Sequence, residues 1–416
     1  MKLLMGIFLV ACVFPYTKFI PILEYSALYT QPTALIIGSF LAMTGIMKWT
    51  FSRLHFEDGF FLIGLSCVGV FFLSISIAYS GEWLSIQDLK YIAMYLSPII
   101  LVPLVIYAFV RYHSQSKKII EFSAMIWLLV GLVQLLFDPN FLAPGLHTIF
   151  NVVLASGRGV LSLAPEPTHF GFQLLFFAAA LILLDSKNIL IWGCVLGSVI
   201  LARSSSVLFV LLISAILLMI QNGNVRLWIG TIFFAIFVYL TFPALKGMDV
   251  GQWRVYQLID LFLYSDSSVL LDASVNARLG GLIASILSSS QDLFAPHGIS
   301  HVEWLQTREQ ILRNESYLNH LSASGWPSGY FIIIYQTGWF GLLLLWVVFK
   351  RFYKIKLATN EKLIIYAAML VFMMQLMIST PFFSVLYGLV VSKFYLKRTF
   401  ESDNGERKIL KKCSTR

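Results

Sequence analysis

The sequence predicts an all-α, polytopic integral membrane protein with about twelve transmembrane helices. Three observations lead to this prediction. The 416 residues are 58% hydrophobic and 12% charged, whereas soluble domains carry roughly 25% charged residues. Apolar runs of about 20 residues, the length that crosses a bilayer of about 30 Å, recur along the chain. These runs lack the polar-apolar alternation of a membrane-spanning strand, so helices are expected.

Twelve segments fit this description. They cover residues 3–22, 32–49, 59–79, 91–110, 119–137, 166–184, 188–202, 205–221, 226–243, 327–349, 362–379 and 381–396. The predicted organisation therefore has spans one to nine within 1–243, a large external loop at 244–326, spans ten to twelve within 327–396, and a basic tail at 397–416.

The distribution of lysine and arginine predicts the orientation. With the N-terminus inside, most of the 30 basic residues fall on the cytoplasmic side, as the positive-inside rule requires. Both termini are then cytoplasmic. The net charge of +9 follows from this topology. No basic soluble face is left for nucleic acid, so a nucleic-acid partner is not expected.

The external loop 244–326 is too long for a structureless connection. Three parts of it predict helices, at 253–264, at 276–289 and from His301 to about Ser322. We therefore expect the loop to fold into a cap over the external face.

One polar stretch interrupts the apolar pattern at residues 157–172, GRGVLSLAPEPTHFGF. Glu166 stands between Pro165 and Pro167, which prevent an earlier helix start, so its carboxylate is expected at the N-terminus of the sixth span. The helix dipole favours an anion there, and His169 follows on nearly the same face. Glu166 is the candidate general base, with His169 supporting it or doing the same work. The alternative is a capping glutamate and an interfacial histidine without chemistry.

Three arginines on the predicted external side are candidates for binding phosphate, because guanidinium groups match phosphate oxygens. Arg158 lies in the glycine-flanked stretch SGRGV, and its alternative role is contact with lipid headgroups. Arg278, in VNARLGG, is favoured as a phosphate ligand over a salt bridge within the cap. Arg203 is the second residue of ARSSSVLF, in a tight turn between spans seven and eight. The serines from Ser204 onward either bind sugar hydroxyls or cap the eighth span, and the cap is favoured.

Other chemistry is disfavoured by the motifs. The chain has no glycine-lysine phosphate loop, no GxSxG and no HExxH. His297 and His301 have helical spacing, but a third ligand is not evident, so neither a metal nor a cofactor is expected. The weaker candidates for substrate binding are Arg254, Arg308 and Arg313, since nearby carboxylates favour structural ion pairs.

Four stretches resemble the Wzy-type O-antigen and capsule polymerases, whose superfamily also includes the O-antigen ligases. RGVLSLAPEPTHFG resembles an arginine followed by Glu-Pro-Ser/Thr where a span begins, and ARSSSVLFVLLISAILL resembles a serine-rich helix start. NARLGG resembles a second arginine region within one long external loop. YQTGWFGLLLL, with Gly338 and Gly341, resembles the paired-glycine helix after that loop.

Two features depart from the family pattern. The arginine-to-glycine spacing differs, because Gly171 falls thirteen residues after Arg158. Many members, especially ligases, carry a His-Asn pair just before the paired-glycine helix, where this chain reads GWPSGY. His320, some residues upstream, is the available substitute. The resemblance therefore favours a polymerase over a ligase.

The resemblance implies a GT-C-like glycosyltransferase of the bacterial inner membrane. It would join undecaprenyl-pyrophosphate-linked repeat units into O-antigen or a related polysaccharide on the periplasmic face, without a metal. Arg158, Arg278 and Arg203 would stabilise the leaving diphosphate, and Glu166 or His169 would take the proton. The implied partners are the lipid-linked glycans, the bilayer and a chain-length regulator. A ligase that transfers glycan to lipid A core and a flippase for the same lipid-linked sugar are the alternatives.

Overall fold

The computed structural model describes residues 1–17, 32–80, 86–142, 159–222, 273–298, 304, 306–307, 309–311, 329–374 and 380–394. For residues 273–280 it describes the backbone alone. All regular secondary structure in these parts is helical, which confirms the all-α fold class. The predicted ninth span at 226–243 and the predicted helix at 253–264 lie outside the described residues.

The helices fall on the predicted apolar runs. Their bounds are α1 Lys2–Val13, α2 Thr33–Leu41, α3 Met47–Phe51, α4 Phe56–Ser80, α5 Ile86–Arg111, α6 His113–Leu136, α7 Pro167–Leu183, α8 Asn188–Ile200, α9 Ser205–Asn222, α10 Ala273–Gln291, α11 Phe331–Thr337, α12 Trp339–Tyr353, α13 Thr359–Met374 and α14 Pro381–Phe394. The predicted cap helix at 276–289 is part of α10. The described residues between 304 and 311 are also helical, within the predicted helix that begins at His301.

Two predicted spans are interrupted at glycines. The second span contains a wide π-helical turn, Ala42–Ile46, in which Gly45 has a φ of 83°. The tenth span is not one helix, because Gly338 has a φ of 60° and a ψ of −132° and separates α11 from α12. Positive φ is readily available to glycine alone. The apolar composition on both sides of Gly338 hides this break from the sequence pattern.

Helices α7 and α14 form the most buried part of the bundle. Every residue from Phe170 to Leu183 is buried in α7, and residues 381–392 are buried in α14. The two helices meet through Phe176, Phe177 and Phe382, whose rings lie 5.5–6.0 Å apart. A helix that is apolar all round is stable in a protein core or in a membrane, and α7 is enclosed by the other helices of the bundle. Helices α8 and α13 also pack against α7.

Peripheral helices present apolar side chains outward. Two helical stretches, Thr33–Phe51 and His113–Leu136, are long and apolar enough to cross a membrane. Six shorter apolar helices accompany them among the described residues. The exposed apolar side chains recur at helical spacing on three helices: Phe122, Met125, Leu129, Leu132 and Leu136 on α6; Ile189, Trp192, Leu196 and Ile200 on α8; and Trp339, Leu343, Trp346 and Tyr353 on α12.

Candidate functional site

Helix α7 begins at the polar stretch that the sequence singled out. Glu166 is the residue before the helix, with extended backbone (φ −143°, ψ 152°), and Pro167 is the first helical residue. The proline is tolerated there because its missing N–H would have no partner within the helix. The Glu166 side chain makes no capping hydrogen bond and is half-buried. Its carboxylate is therefore displayed at the helix N-terminus, as predicted.

The segment that precedes Glu166 is fastened to α6. Ser162 has a φ of 50°, in the left-handed region that costs most residues energy. The Ser162 hydroxyl donates to the carbonyl oxygen of Trp127 at 2.7 Å, and its backbone N–H donates to Gln134 Oε1. Gln134 Nε2 in turn donates to the carbonyl oxygens of Ser162 and Phe141 at 3.0 and 2.8 Å. This closed set of hydrogen bonds offsets the backbone strain and fixes the approach to Glu166.

The same segment lies directly against the turn between α8 and α9. Val160 N–H donates to the Leu201 carbonyl oxygen at 2.9 Å. A Cβ at Gly159 would overlap the carbonyl oxygens of Leu201 and Ala202, so no side chain fits at residue 159. A Cβ at Gly171 would lie 2.6 Å from Val207 Cγ2. Two glycines thus let the start of α7 approach the start of α9 closely.

This approach brings Arg203 and Ser204 beside the first turn of α7. The Ser204 hydroxyl donates to Thr168 Oγ1 at 3.3 Å. Arg203 has a φ of 45°, and its backbone N–H donates to the Val199 carbonyl oxygen at 3.2 Å. Left-handed backbone at a residue other than glycine concentrates at binding and catalytic sites. We name residues 159–169 and 201–204 together the α7 entrance.

His169 lies one turn into α7 and is half-buried. Its ring centroid is 5.7 Å from that of Tyr16 and 6.5 Å from that of Phe172. Tyr16 is buried, and it lies close enough to Glu166 for the negative charge of Glu166 to act on the Tyr16 hydroxyl. Tyr16 therefore contacts one candidate base and interacts electrostatically with the other. Tyr16 was not among the predicted site residues, because it lies within the predicted first span.

Gln173 is a buried polar residue one turn after His169 in α7. Its side chain is buried, and Nε2 donates to the Val13 carbonyl oxygen at 3.3 Å. Within the part of the chain that the structure describes, Gln173 Oε1 has no hydrogen-bond donor. An unmet buried acceptor costs about 1–3 kcal/mol. The sequence analysis missed Gln173, although a single glutamine in an otherwise apolar helix is a detectable signal.

The remaining predicted site residues are not tested. Arg278 lies in helix α10, but only its backbone is described. The others lie outside the described residues: Arg158, Arg254, Arg308, Arg313 and His320. The structure thus brings Glu166, His169, Arg203 and Ser204 together and leaves the other predicted ligands as predictions.

A second cluster of charges joins the start of α4 to the end of α12 and to α14, and the sequence did not predict it. Asp58 Oδ1 accepts hydrogen bonds from Arg351 Nε at 2.7 Å and from the Tyr387 hydroxyl at 3.0 Å. Asp58 is 1% exposed and Arg351 4% exposed. Glu57 bonds Lys350 and lies 3.5 Å from Arg351 Nη2, and the Lys350 hydrogen bond lowers the pKa of Glu57. We name these five residues the Asp58–Arg351 cluster.

No protein-family model and no curated protein matches the chain. The resemblance to O-antigen polymerases therefore stays a prediction from short motifs. What the α7 entrance can do chemically follows from its side chains alone. A carboxylate and an imidazole on one helical turn can take or give a proton near neutral pH, and a neighbouring guanidinium can bind an anion.

Proposed function

We propose that the chain is a multi-pass protein of the bacterial inner membrane with about twelve spans and both termini in the cytoplasm. The outward faces of α6, α8 and α12 support this proposal. Each presents large apolar side chains at spacings of three, four and seven residues. Water would penalise such faces by roughly 25 cal/mol for each Å² of apolar surface. Lipid removes that penalty, and it also explains short apolar helices that are exposed along one side.

The contacts between helix ends support the proposed sidedness. Residues predicted to be cytoplasmic meet one another: Lys117 donates to the Asp185 carbonyl oxygen at 2.9 Å, and Lys393 lies 3.2 Å from Asp185 Oδ1. At the other end, Ser162 of the predicted external loop 138–165 meets Gln134, near the external end of the predicted fifth span. Helix α7 has 17 residues, which at 1.5 Å per residue separates the two groups by about 25 Å.

We infer that the α7 entrance catalyses glycosyl transfer between lipid-linked glycans, and that the product is O-antigen or a related surface polysaccharide. The observation that carries this inference is the convergence of Glu166, His169, Arg203 and Ser204 on one predicted external rim. An acid-base pair beside a cation and a hydroxyl is what transfer from a sugar diphosphate requires. The resemblance to polymerases supplies the substrate class, undecaprenyl-pyrophosphate-linked repeat units.

The reaction follows from these groups. The growing glycan is the donor, and the acceptor is a hydroxyl of the incoming repeat unit. Glu166 or His169 takes the hydroxyl proton as the acceptor oxygen attacks the anomeric carbon of the donor. The bond between that carbon and the diphosphate oxygen breaks, and the diphosphate leaves as an anion. Arg203, Arg158 and Arg278 are the proposed donors that stabilise this anion.

The two prenyl chains have a route to this site. The α7 entrance is bounded by α6, through Ser162 and Gln134, and by the turn between α8 and α9. Both α6 and α8 carry exposed apolar faces. A lipid tail can therefore lie along these helices while its diphosphate occupies the polar rim, so the substrate need not leave the bilayer.

The glycan length profile of cells that lack the chain tests this proposal. A polymerase deletion should leave single repeat units attached to the surface anchor. A ligase deletion would leave no glycan attached, and a flippase deletion would keep lipid-linked units on the cytoplasmic side. Either of the last two results would refute polymerisation and select the corresponding alternative.

A further inference from the structure

The break between α11 and α12 is covered by the loop that follows α10. Trp339 N–H, at the start of α12, donates to the Phe294 carbonyl oxygen at 3.1 Å. A Cβ at Gly338 would overlap that same oxygen and would lie 2.9 Å from the Pro296 nitrogen. Gly298 N–H donates to the Gln336 carbonyl oxygen at 3.1 Å. The loop 292–298 thus supplies hydrogen bonds that the interrupted helix cannot make for itself.

His297 fastens this loop through its ring as well as its backbone. The ring stacks on Tyr335 with centroids 4.4 Å apart and planes 13° apart. Nδ1 lies 3.2 Å from the Tyr335 carbonyl oxygen. Nε2 lies 2.8 Å from Asp292 Oδ2 and 3.3 Å from Ser288 Oγ. We name His297, Tyr335, Asp292 and Ser288 the cap latch.

The hydrogen-bond partners determine the protonation state that fits this geometry. A carbonyl oxygen only accepts, so Nδ1 must carry a proton to bond Tyr335. An ionised carboxylate also only accepts, so Nε2 must carry a proton to bond Asp292. A ring that donates from both nitrogens is the positively charged imidazolium. The 2.8 Å contact with Asp292 is then a charge-assisted hydrogen bond, the stronger kind.

The neutral ring carries one N–H and cannot donate to both acceptors. When Nδ1 keeps its proton for Tyr335, a deprotonated Nε2 presents a lone pair to the Asp292 carboxylate and repels it. The Ser288 hydroxyl can donate to that lone pair instead, since it lies 3.3 Å away. Ser288 is buried in α10, whereas the Asp292 side chain is 59% exposed and free to turn toward solvent. The other neutral tautomer keeps Asp292 and gives up the Tyr335 carbonyl oxygen, so only the protonated ring can donate to both acceptors.

We propose that the cap latch is a pH-operated switch that holds the loop 292–298 on the broken tenth span. Protonated His297 joins α11 to Asp292 and tightens the loop. Neutral His297 has one N–H and gives up either Asp292 or the Tyr335 carbonyl oxygen, which loosens the hydrogen bonds between the loop 292–298 and the residues beside Gly338. Histidine is the side chain that normally changes charge between pH 5 and 8, and a predicted external loop meets the pH of the surroundings.

The charged groups around His297 are few. Among the described residues, Asp292 of the loop is the carboxylate that contacts the ring. Helix α10 contributes Ser288, and α11 contributes Tyr335, whose ring also contacts the buried Trp304 edge-on with centroids 4.8 Å apart. His297 itself is 15% exposed. Its ring is thus shielded enough to depend on these partners and open enough to exchange protons with water.

The switch rests on these contacts, and only its consequence for turnover rests on the proposed function. Helix α10 also carries Arg278, a predicted ligand of the leaving diphosphate. Loosening the loop would let α10 move relative to α11. We therefore expect turnover to vary with external pH.

Hydrogen exchange of the detergent-solubilised full chain tests the switch without any substrate. The reporters are the backbone N–H groups of His297, Gly298 and Trp339, which join the loop to α11 and α12. Their protection factors, each referenced to the intrinsic exchange rate at that pH, should be roughly three- to fivefold higher at pH 5.5 than at pH 8, the effect of one partly exposed ion pair. Equal protection at the two pH values would overturn the proposal.

Three variants sharpen the test. His297→Gln and Asp292→Asn should each abolish the pH dependence of the protection factors. Asp292→Asn should not disturb folding, because the Asp292 side chain is largely exposed. Ser288→Ala removes the partner of the neutral ring and should enlarge the dependence. His113→Gln, at the exposed start of α6, is the control and should behave as the native chain. A pH dependence that survives His297→Gln would assign it to another group and refute the latch. Failure of the proposed glycosyl transfer would leave these exchange results unchanged.

Discussion

The α7 entrance and the Asp58–Arg351 cluster hold charged side chains in opposite ways. In the cluster, Asp58 bonds Arg351 at 2.7 Å and Tyr387 at 3.0 Å, and Asp58 and Arg351 are almost fully buried. At the α7 entrance, Glu166 is half-buried and belongs to none of the ion pairs among the described residues. The positive and negative charges of the Asp58–Arg351 cluster balance one another, whereas the Glu166 carboxylate at the α7 entrance is partly exposed.

The difference indicates which of the two is structural and which is chemical. In a buried ion pair the charges are directed at each other and not at a ligand, and breaking the pair leaves a buried charge. A carboxylate at a helix N-terminus that belongs to no ion pair among the described residues still has oxygens that can bond a substrate. We therefore expect substitutions in the Asp58–Arg351 cluster to change stability and substitutions at the α7 entrance to change turnover.

The largest expected effect is on activity. Glu166→Gln keeps the size of the side chain and removes its ability to take a proton, so polymer formation should fall by roughly 10²–10⁴-fold. The melting temperature of the purified protein should stay unchanged. Glu57→Gln is the matched control in the Asp58–Arg351 cluster and should leave chain-length profiles normal. Native profiles from Glu166→Gln would move the general base to His169 or remove it from the α7 entrance.

The next largest effect is on stability. Arg351→Met should lower the free energy of unfolding by about 3–5 kcal/mol, because Asp58 is then buried without a counter-charge. The double variant Asp58→Leu with Arg351→Met should recover most of that loss. Chemical denaturation in detergent measures both. A loss below about 1 kcal/mol for the single variant would show that water reaches Asp58 and that the Asp58–Arg351 cluster is not sealed.

Glycine packing at the α7 entrance is the third test. Gly159→Ala should cost at least about 1–3 kcal/mol, because the obstructing atoms are backbone oxygens that cannot turn away. Gly59→Ala in α4 is the matched control, since a Cβ there meets nothing within 4 Å, and it should stabilise the helix by roughly 0.5–1 kcal/mol. If Gly159→Ala and Gly59→Ala have the same melting temperature, the segment 159–166 does not lie against the turn at Leu201.

The smallest effect concerns the backbone of Arg203. Arg203→Gly removes the cost of left-handed backbone, so it should be more stable than Arg203→Ala by roughly 1 kcal/mol. Both variants should lose activity, because both lack the guanidinium. Equal stability of the two would mean that Arg203 adopts ordinary backbone in the membrane.

The sequence was sufficient to locate most of the described helices, because apolar runs bounded by polar residues register directly in composition. It did not reveal the break at Gly338, since the flanking residues are apolar and the cause is a loop that lies more than forty positions earlier. The Asp58–Arg351 pair was equally hidden, because the partners are 293 residues apart.

The candidate site was predictable in part. Two prolines around Glu166 give a local reason for its position, and that prediction agrees with the extended backbone at Glu166. The meeting of Arg203 with the start of α7 depends on how three helices pack, which Gly159 and Gly171 permit but do not reveal in sequence. Tyr16 and Gln173 join the site for the same reason, through packing between distant segments.

Accessibility of engineered cysteines tests most directly the central claim that the two ends of α7 face opposite sides of a membrane. In a chain whose four cysteines are replaced, Asp138→Cys reports the side of the α7 entrance and Lys187→Cys reports the far side; both positions are exposed. A membrane-impermeant maleimide applied outside the inner membrane should label Asp138→Cys and leave Lys187→Cys unlabelled until the cells are lysed. Labelling of both before lysis, or of Lys187→Cys alone, would contradict the account.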